Sequence, residues 1–136
     1  MIREIVRDVL FLGMPSAPAG PGDISVADDL TDTLKAHAED CAGMAANMIG
    51  ERKRIIVFRD GEDFMEMFNP EILAKKEPYG AEEGCLSLDG KRQCRRYRTI
   101  KVRWQDRLFR TRVKNFTGWT AQIIQHEIDH CNGILI

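Results

Sequence analysis

An α+β fold in a single domain is what the sequence predicts, and three observations predict it. Apolar residues recur at helical spacing from Val26 to Cys41. Two later stretches alternate apolar and charged residues with a period of two. The segment Thr117–Gly133 then returns to helical patterning. Such elements pack as layers, so the expected architecture is antiparallel strands with an N-terminal and a C-terminal helix against them. A chain of 136 residues suits one such domain over residues 1–136 and can bury a real core.

Taken in order, the first segment contains Arg3, Glu4, Arg7 and Asp8, which interrupt any export-signal pattern. It reads as mature protein with a cytoplasmic location. Pro15–Asp23 is a turn-rich loop. Val26, Leu30, Leu34, Ala38 and Cys41 then form one stripe, predicting a helix from about Val26 to Asp40. His37 falls on it and is expected to be structural or solvated. Cys41–Gly50 is small, apolar and turn-like. Arg54–Phe58 is a short buried strand, and "FMEMFNPEIL" is a second strand that Pro70 interrupts or ends. "EPYGAEEGCLSLDG" reads as a loop around Cys85.

Ile100, Val102 and Trp104 alternate with Lys101, Arg103 and Gln105. Phe109, Thr111 and Val113 alternate with Arg110, Arg112 and Lys114. Two strands with one wet face follow, turning near Asp106. Thr117 is the expected N-cap of the last helix and Gly133 its stop. Net charge is −1, but residues 1–90 carry −9 and residues 91–136 carry +8. The solvated face of a hairpin explains the basic half better than a nucleic-acid site, so no specific nucleic-acid partner is expected. No apolar run is long enough to span a bilayer, so no membrane partner is expected either. Cys41, Cys85, Cys94 and Cys131 are expected as free thiols or metal ligands.

Chemistry concentrates in "QHEIDHCNG", Gln125–Gly133, which holds two of the three histidines. His126 and His130 stand four apart on a helix and face the same way, so one cation can take both. Glu127 falls on the adjacent side, where a carboxylate can take a proton from an attacking water and pass it to a leaving amine. Ile123, Ile124 and Ile128 supply apolar surroundings. Cys131 would point off the histidine face, so the third ligand must come from upstream. Cys85 in "EEGCLS" is the best candidate, with Gly84 beside it to let the backbone pass close. Taken alone, Cys85 would read as a buried structural thiol. A thiolate and two imidazoles suit Zn2+ or Fe2+.

"EGCLS" at Glu83–Ser87, "QHEIDHCNG" at Gln125–Gly133 and "CAGMAANMIG" at Cys41–Gly50 occur in an order and at separations that resemble peptide deformylase. The resemblance covers nearly the whole chain. It implies the deformylase fold and removal of the N-formyl group from the initiator methionine of nascent polypeptides, with formate released. It implies that Cys85, His126 and His130 bind one divalent metal per chain, Fe2+ natively, with Zn2+, Ni2+ and Co2+ as alternatives. Glu127 would handle the proton, and the backbone N–H of Leu86 would help hold the developing oxyanion. Gly43 and Met44 would pair with the substrate backbone and line the methionine pocket, with Ile123 and His126 on its other side. Glu83 would be structural and pair with an arginine such as Arg96. The implied partners are N-formyl-methionyl peptides or nascent chains, with a transient ribosome contact.

Two departures stand in the first motif, which in that family reads G-x-G-x-A-A-x-Q. Cys41 replaces its first glycine and Met48 its glutamine. A thioether cannot donate a hydrogen bond. Losing one oxyanion donor typically costs about 10²–10³ in rate. Asp89 also replaces a proline usual after the cysteine motif, and the chain lacks the C-terminal extension many members carry. Two other readings therefore accompany the first: a paralogue of low or no activity that binds peptide N-termini, and a hydrolase of another N-acyl amide.

Overall fold

The computed structural model describes residues 1–135. One five-stranded sheet forms its frame: β1 (Gly43–Ala45), β2 (Ile55–Asp60), β3 (Asp63–Cys85), β4 (Leu88–Gln105) and β5 (Thr111–Thr117). The strands lie in chain order and every pairing is antiparallel. Three α-helices accompany it: the short α1 (Val9–Leu12), α2 (Ile24–Ala36) and α3 (Gly118–Cys131). The predicted α+β class and its two flanking helices are therefore what the chain adopts.

The period of two explains why "RIIVF" is apolar without alternation. In β2, Ile56 and Phe58 belong to one core cluster, which α3 covers with Ala121, Ile123, Ile124 and Ile128. Ile55 and Val57 belong to the other, which α2 covers with Val26, Ala27, Leu30 and Leu34. A strand buried on both faces needs apolar residues at every position. Farther out, β4 sends Ile100, Val102 and Trp104 toward α3 and leaves Lys101 and Arg103 exposed, as its alternation predicts. Phe116 of β5 joins this core, its ring 5.8 Å from Trp104 and 6.4 Å from Phe58.

Three expectations are corrected or narrowed. Helix α2 ends at Ala36 rather than Asp40, with His37 half-buried at its C-cap. The last residues must instead turn the chain into β1, and Arg59 holds the freed Ala38 carbonyl at 3.2 Å. Second, Pro70 interrupts its strand, one of the two expected outcomes, but does not end it. The ladder shifts register between Phe68 and Glu71, with Asn69 at φ 52, so a bulge absorbs the residue that has no N–H. Asn69 anchors that bulge, its amide oxygen accepting from Ala19 N and its nitrogen donating to Ala19 O and Gln105. Third, the stretch around Cys85 is not a loop. Strand β3 runs to Cys85, and only Leu86 and Ser87 separate it from β4.

Charges segregated along the sequence mix in space. Arg103 pairs with Glu71 at 2.6 Å, and Arg107 pairs with Glu66 at 2.6 Å and with Asp28. The hairpin turn forms where predicted: Asp106 accepts from the backbone of Leu108 and Arg110 and from the side chains of Arg110 and Arg112. Thr117 occupies the N-cap of α3, though its side chain makes no capping bond. At Gly133, φ is +74 and a Cβ would lie 2.5 Å from the Gly13 carbonyl oxygen, so both backbone sign and space require glycine there. No helix among the described residues is long and apolar enough to cross a membrane.

Candidate active site

The end of β3 and the middle of α3 meet at three side chains. Cys85 Sγ lies 3.3 Å from His130 Nε2, and His130 Nε2 lies 3.3 Å from His126 Nε2. The three atoms are all within 4.8 Å of one another. Two nitrogens bound about 2.0–2.1 Å from one tetrahedral ion stand roughly 3.3–3.4 Å apart, so the imidazole pair already has a metal's spacing. Cys85 is half-buried, while both histidines are buried. The donor set and its spacing therefore fit a borderline divalent cation.

Around this cluster lies a buried charge network. His126 Nδ1 is 2.8 Å from Glu83 Oε1. A carboxylate can only accept, so Nδ1 carries a proton and Nε2 is left for the cluster. Arg96 holds Glu83 through Nε and Nη2, at 3.0 and 2.7 Å, and reaches Asp129 at 2.7 Å with Nη1. Gln122 Nε2 donates to Glu83 Oε2 at 2.8 Å, and Tyr79 Oη donates to Gln122 Oε1 at 3.0 Å. Burial opposes ionisation of Glu83, but His126, Arg96 and Gln122 outweigh it and hold the carboxyl well below its usual range.

The two histidines are driven apart. Burial alone lowers His126, yet Glu127, Cys85 and Glu83 prevail and bring it up to about 10. Burial, then the positive His126 and Arg96, push His130 down to about 3. His126 thus favours its charged form and His130 its neutral one, and metal binding would need the neutral imidazole of both. Glu127 is 4% exposed, and its Oε1 has no hydrogen-bond partner. Burial raises its carboxyl to about 7, despite the opposing pull of His126 and Arg96.

Gly43 makes room for this carboxylate. A Cβ there would lie 2.7 Å from Ile123 Cγ2 and 3.0 Å from Glu127 Oε2. Gly84, by contrast, would meet only ordinary contacts, the nearest being the Gly90 carbonyl oxygen at 3.7 Å, so crowding does not explain that glycine. Cys41 Sγ donates to the Gly43 carbonyl at 2.8 Å. Burial and then the Glu127 charge push its thiol up to about 12, so it stays neutral.

A cavity of about 790 Å³ opens beside the cluster, lined in part by Gly43, Cys85, Leu86, Ile123, His126 and Glu127. Six of the sequence-predicted residues thus share one wall. Met44 does not: neighbours in a strand face opposite sides, and its buried side chain packs in the core under α2. Its expected place in the methionine pocket is corrected accordingly. Met48 is 1% exposed in that same core, which Cys85 and Leu86 also adjoin. Asn47, the neighbour of Met48, turns toward α3 and is committed to the His130 carbonyl, donating to it at 3.0 Å. Sequence reasoning missed Tyr79, Gln122 and Asp129. Only Gln122 carried a signal, lying four residues before His126 on one helical face.

A profile of the family described as polypeptide deformylase matches residues 16–136. A peptide deformylase of Clostridium beijerinckii is 54% identical over the full length of both chains. The chain belongs to the polypeptide deformylase family. A family relative from Syntrophomonas wolfei is 38% identical over 90% of this chain and 80% of its own length. Among solved structures, the class I type b peptide deformylase of Acinetobacter baumannii bound to Met-Ala-Ser has a TM-score of 0.90 at 28% identity. That match covers 99% of this chain and 97% of the other. The Thermotoga maritima peptide deformylase has a TM-score of 0.89 at 28% identity, covering 99% and 95%. The deformylase family is metal-dependent, and this member is a hydrolase that removes the N-formyl group from nascent polypeptides. Nothing in these likenesses favours the low-activity or other-acyl readings.

Proposed function

We propose that Cys85, His126 and His130 hold the deformylase's one metal ion, and that Glu127, Leu86 and Gly43 act on the formyl-methionyl end beside it. The observation that carries this reading is the triangle of Sγ and two Nε2 atoms, with the unpaired Glu127 Oε1 on the adjoining cavity wall. A bound divalent cation supplies a Lewis acid for the formyl carbonyl and lowers the pKa of the attacking water. Fe2+ is the native ion in this reading, and Zn2+, Ni2+ or Co2+ also suit a thiolate with two imidazoles.

The rest is the work of the chain itself. Glu127, with a carboxyl near 7, takes the water's proton and returns it to the departing amine. The Leu86 N–H, at the hairpin tip on the cavity wall, donates to the developing oxyanion. Strand β1 is the sheet's edge and pairs only with β2. Its Gly43 faces the cavity, so an extended peptide can add along that free edge. Ile123 and His126 wall the methionine side chain. Glu83 keeps His126 turned toward the metal. The Met-Ala-Ser complex of the similar Acinetobacter enzyme supports a peptide in this cavity. The enzyme works in the cytoplasm and meets its nascent substrates in a transient ribosome contact.

Glu127→Ala tests the mechanism. Metal content should stay at the parent level while formate release from a formyl-Met peptide falls about 10²–10⁴-fold. A variant as fast as the parent would falsify the role given to Glu127.

A further inference from the structure

Gln122 lies one helical turn before His126 on α3, and Tyr79 lies on β3 across from it. An amide side chain has one donating and one accepting end, and its two neighbours decide which way it points. Here Glu83 Oε2 can only accept, so it takes Nε2, and Oε1 is left to accept from Tyr79 Oη, which then holds the far end of the amide. The reversed amide would set oxygen against carboxylate. The Arg98 guanidinium lies 4.8 Å from the Tyr79 ring centre and buttresses it from outside. Glu83 is thus gripped from two directions, by Arg96 and by Gln122, while its Oε1 accepts from the His126 Nδ1–H. Arg96 fixes the carboxylate through two nitrogens, and Gln122 adds a grip on Oε2 from α3 itself. Gln122 and Glu83 both line the cavity, so this contact sits on its wall.

We propose that Tyr79 and Gln122 form a positioning relay that locks Glu83, and through it the His126 ring, in the orientation that binds metal. This rests on the metal-site reading given under the proposed function. Neither residue is a catalytic group.

The test measures Co2+ dissociation constants, by competition with a chromophoric chelator, for the parent, Gln122→Leu, Tyr79→Phe and the double variant. The visible Co2+ spectrum and the thermal stability of each metal-free protein are recorded alongside. Gln122→Leu should weaken Co2+ binding about 10- to 100-fold, the usual cost of losing a partner behind a metal ligand. Tyr79→Phe should weaken it about 2- to 10-fold, as one hydrogen bond would. The double variant should bind no more weakly than Gln122→Leu, because the hydroxyl acts only through the amide. Metal-free stability should stay near the parent's, and the Co2+ spectrum should shift in the variants. Parent-like affinity in both single variants overturns the relay. So does additive weakening in the double variant, or a loss that tracks metal-free stability. If Gln122→Leu does not fold, Tyr79→Phe decides alone by the same criteria. A parent without Cys85-dependent Co2+ binding sinks the metal-site reading itself, and the relay with it.

Discussion

Gly43 on β1 and Ile123 on α3 stand so close that a Cβ on the first would lie 2.7 Å from Cγ2 of the second. The same Cβ would lie 3.0 Å from Glu127 Oε2, so this contact sets how near the sheet edge comes to the proposed proton carrier. Gly43→Ala should push α3 and β1 apart. A displacement of about 1 Å can cost 10²-fold in rate, and kcat/KM for a formyl-Met peptide should fall by about that factor. Metal content should hold, since Cys85, His126 and His130 do not touch residue 43 in the proposed site. Parent-like kcat/KM would show that the spacing is not needed.

Met48 invites the opposite experiment. Its thioether is buried in the core under α2, a cluster against which Cys85 and Leu86 also pack. Met48→Gln places an amide there, which costs about 1–3 kcal/mol unless it finds partners. Urea titration should show that loss. In this reading the new donor also speeds formate release, up to about 10²-fold. An unchanged rate would mean that the chain already satisfies the oxyanion without it.

Arg96 is 3% exposed and holds both Glu83 and Asp129. Arg96→Leu leaves two carboxylates without their cation, one of them buried. Removing one partner of such a pair typically costs 3–5 kcal/mol, and denaturant unfolding should read about that loss. A cost under about 1 kcal/mol would mean that water compensates the carboxylates.

Asp106 gives a pH dependence with a definite sign. Its carboxyl falls from an ordinary 3.8 to about 2. Burial opposes the shift, but the Arg110 N–H, the Arg112 side chain, the Leu108 N–H and the Arg110 side chain outweigh it. A depressed carboxyl stabilises the fold above its unfolded pKa and loses that contribution as pH falls through its folded pKa. Asp106→Asn should therefore lower Tm at neutral pH. The gap to the parent should close between about pH 4 and pH 2. A gap independent of pH would assign the effect to turn geometry rather than to charge.

What the sequence disclosed was local. The helix carrying His126 and His130 shows its own period and its own glycine stop. The hairpin at Asp106 follows its alternation on the β4 side only. Strand β5 leaves Thr111 and Val113 exposed and buries Phe116, so the expected inward face of that strand is corrected. Cys85 could be joined to the histidines because few ligand types were available. Strand β3 was hidden because Gly80, Gly84 and Pro70 read as breakers, and only its ladder with β4 makes them extended. Met44 was misplaced because its side chain leaves β1 on the face that packs under α2, away from the cavity. Gln122 and Tyr79 were invisible in another sense. They lie 43 positions apart, and nothing in either segment announces the other.

Cys85 and His130 are separated by 45 positions. During synthesis the sheet order follows the order of manufacture, β1 through β5, and α3 comes last among these elements. The ribbon bearing Cys85 can therefore assemble while two of the three ligands do not yet exist. A chain that stalls before α3 would display a thiol and a sheet but no competent centre. Catalytic ability thus certifies that this polypeptide was read through α3, a built-in receipt for that stretch of manufacture.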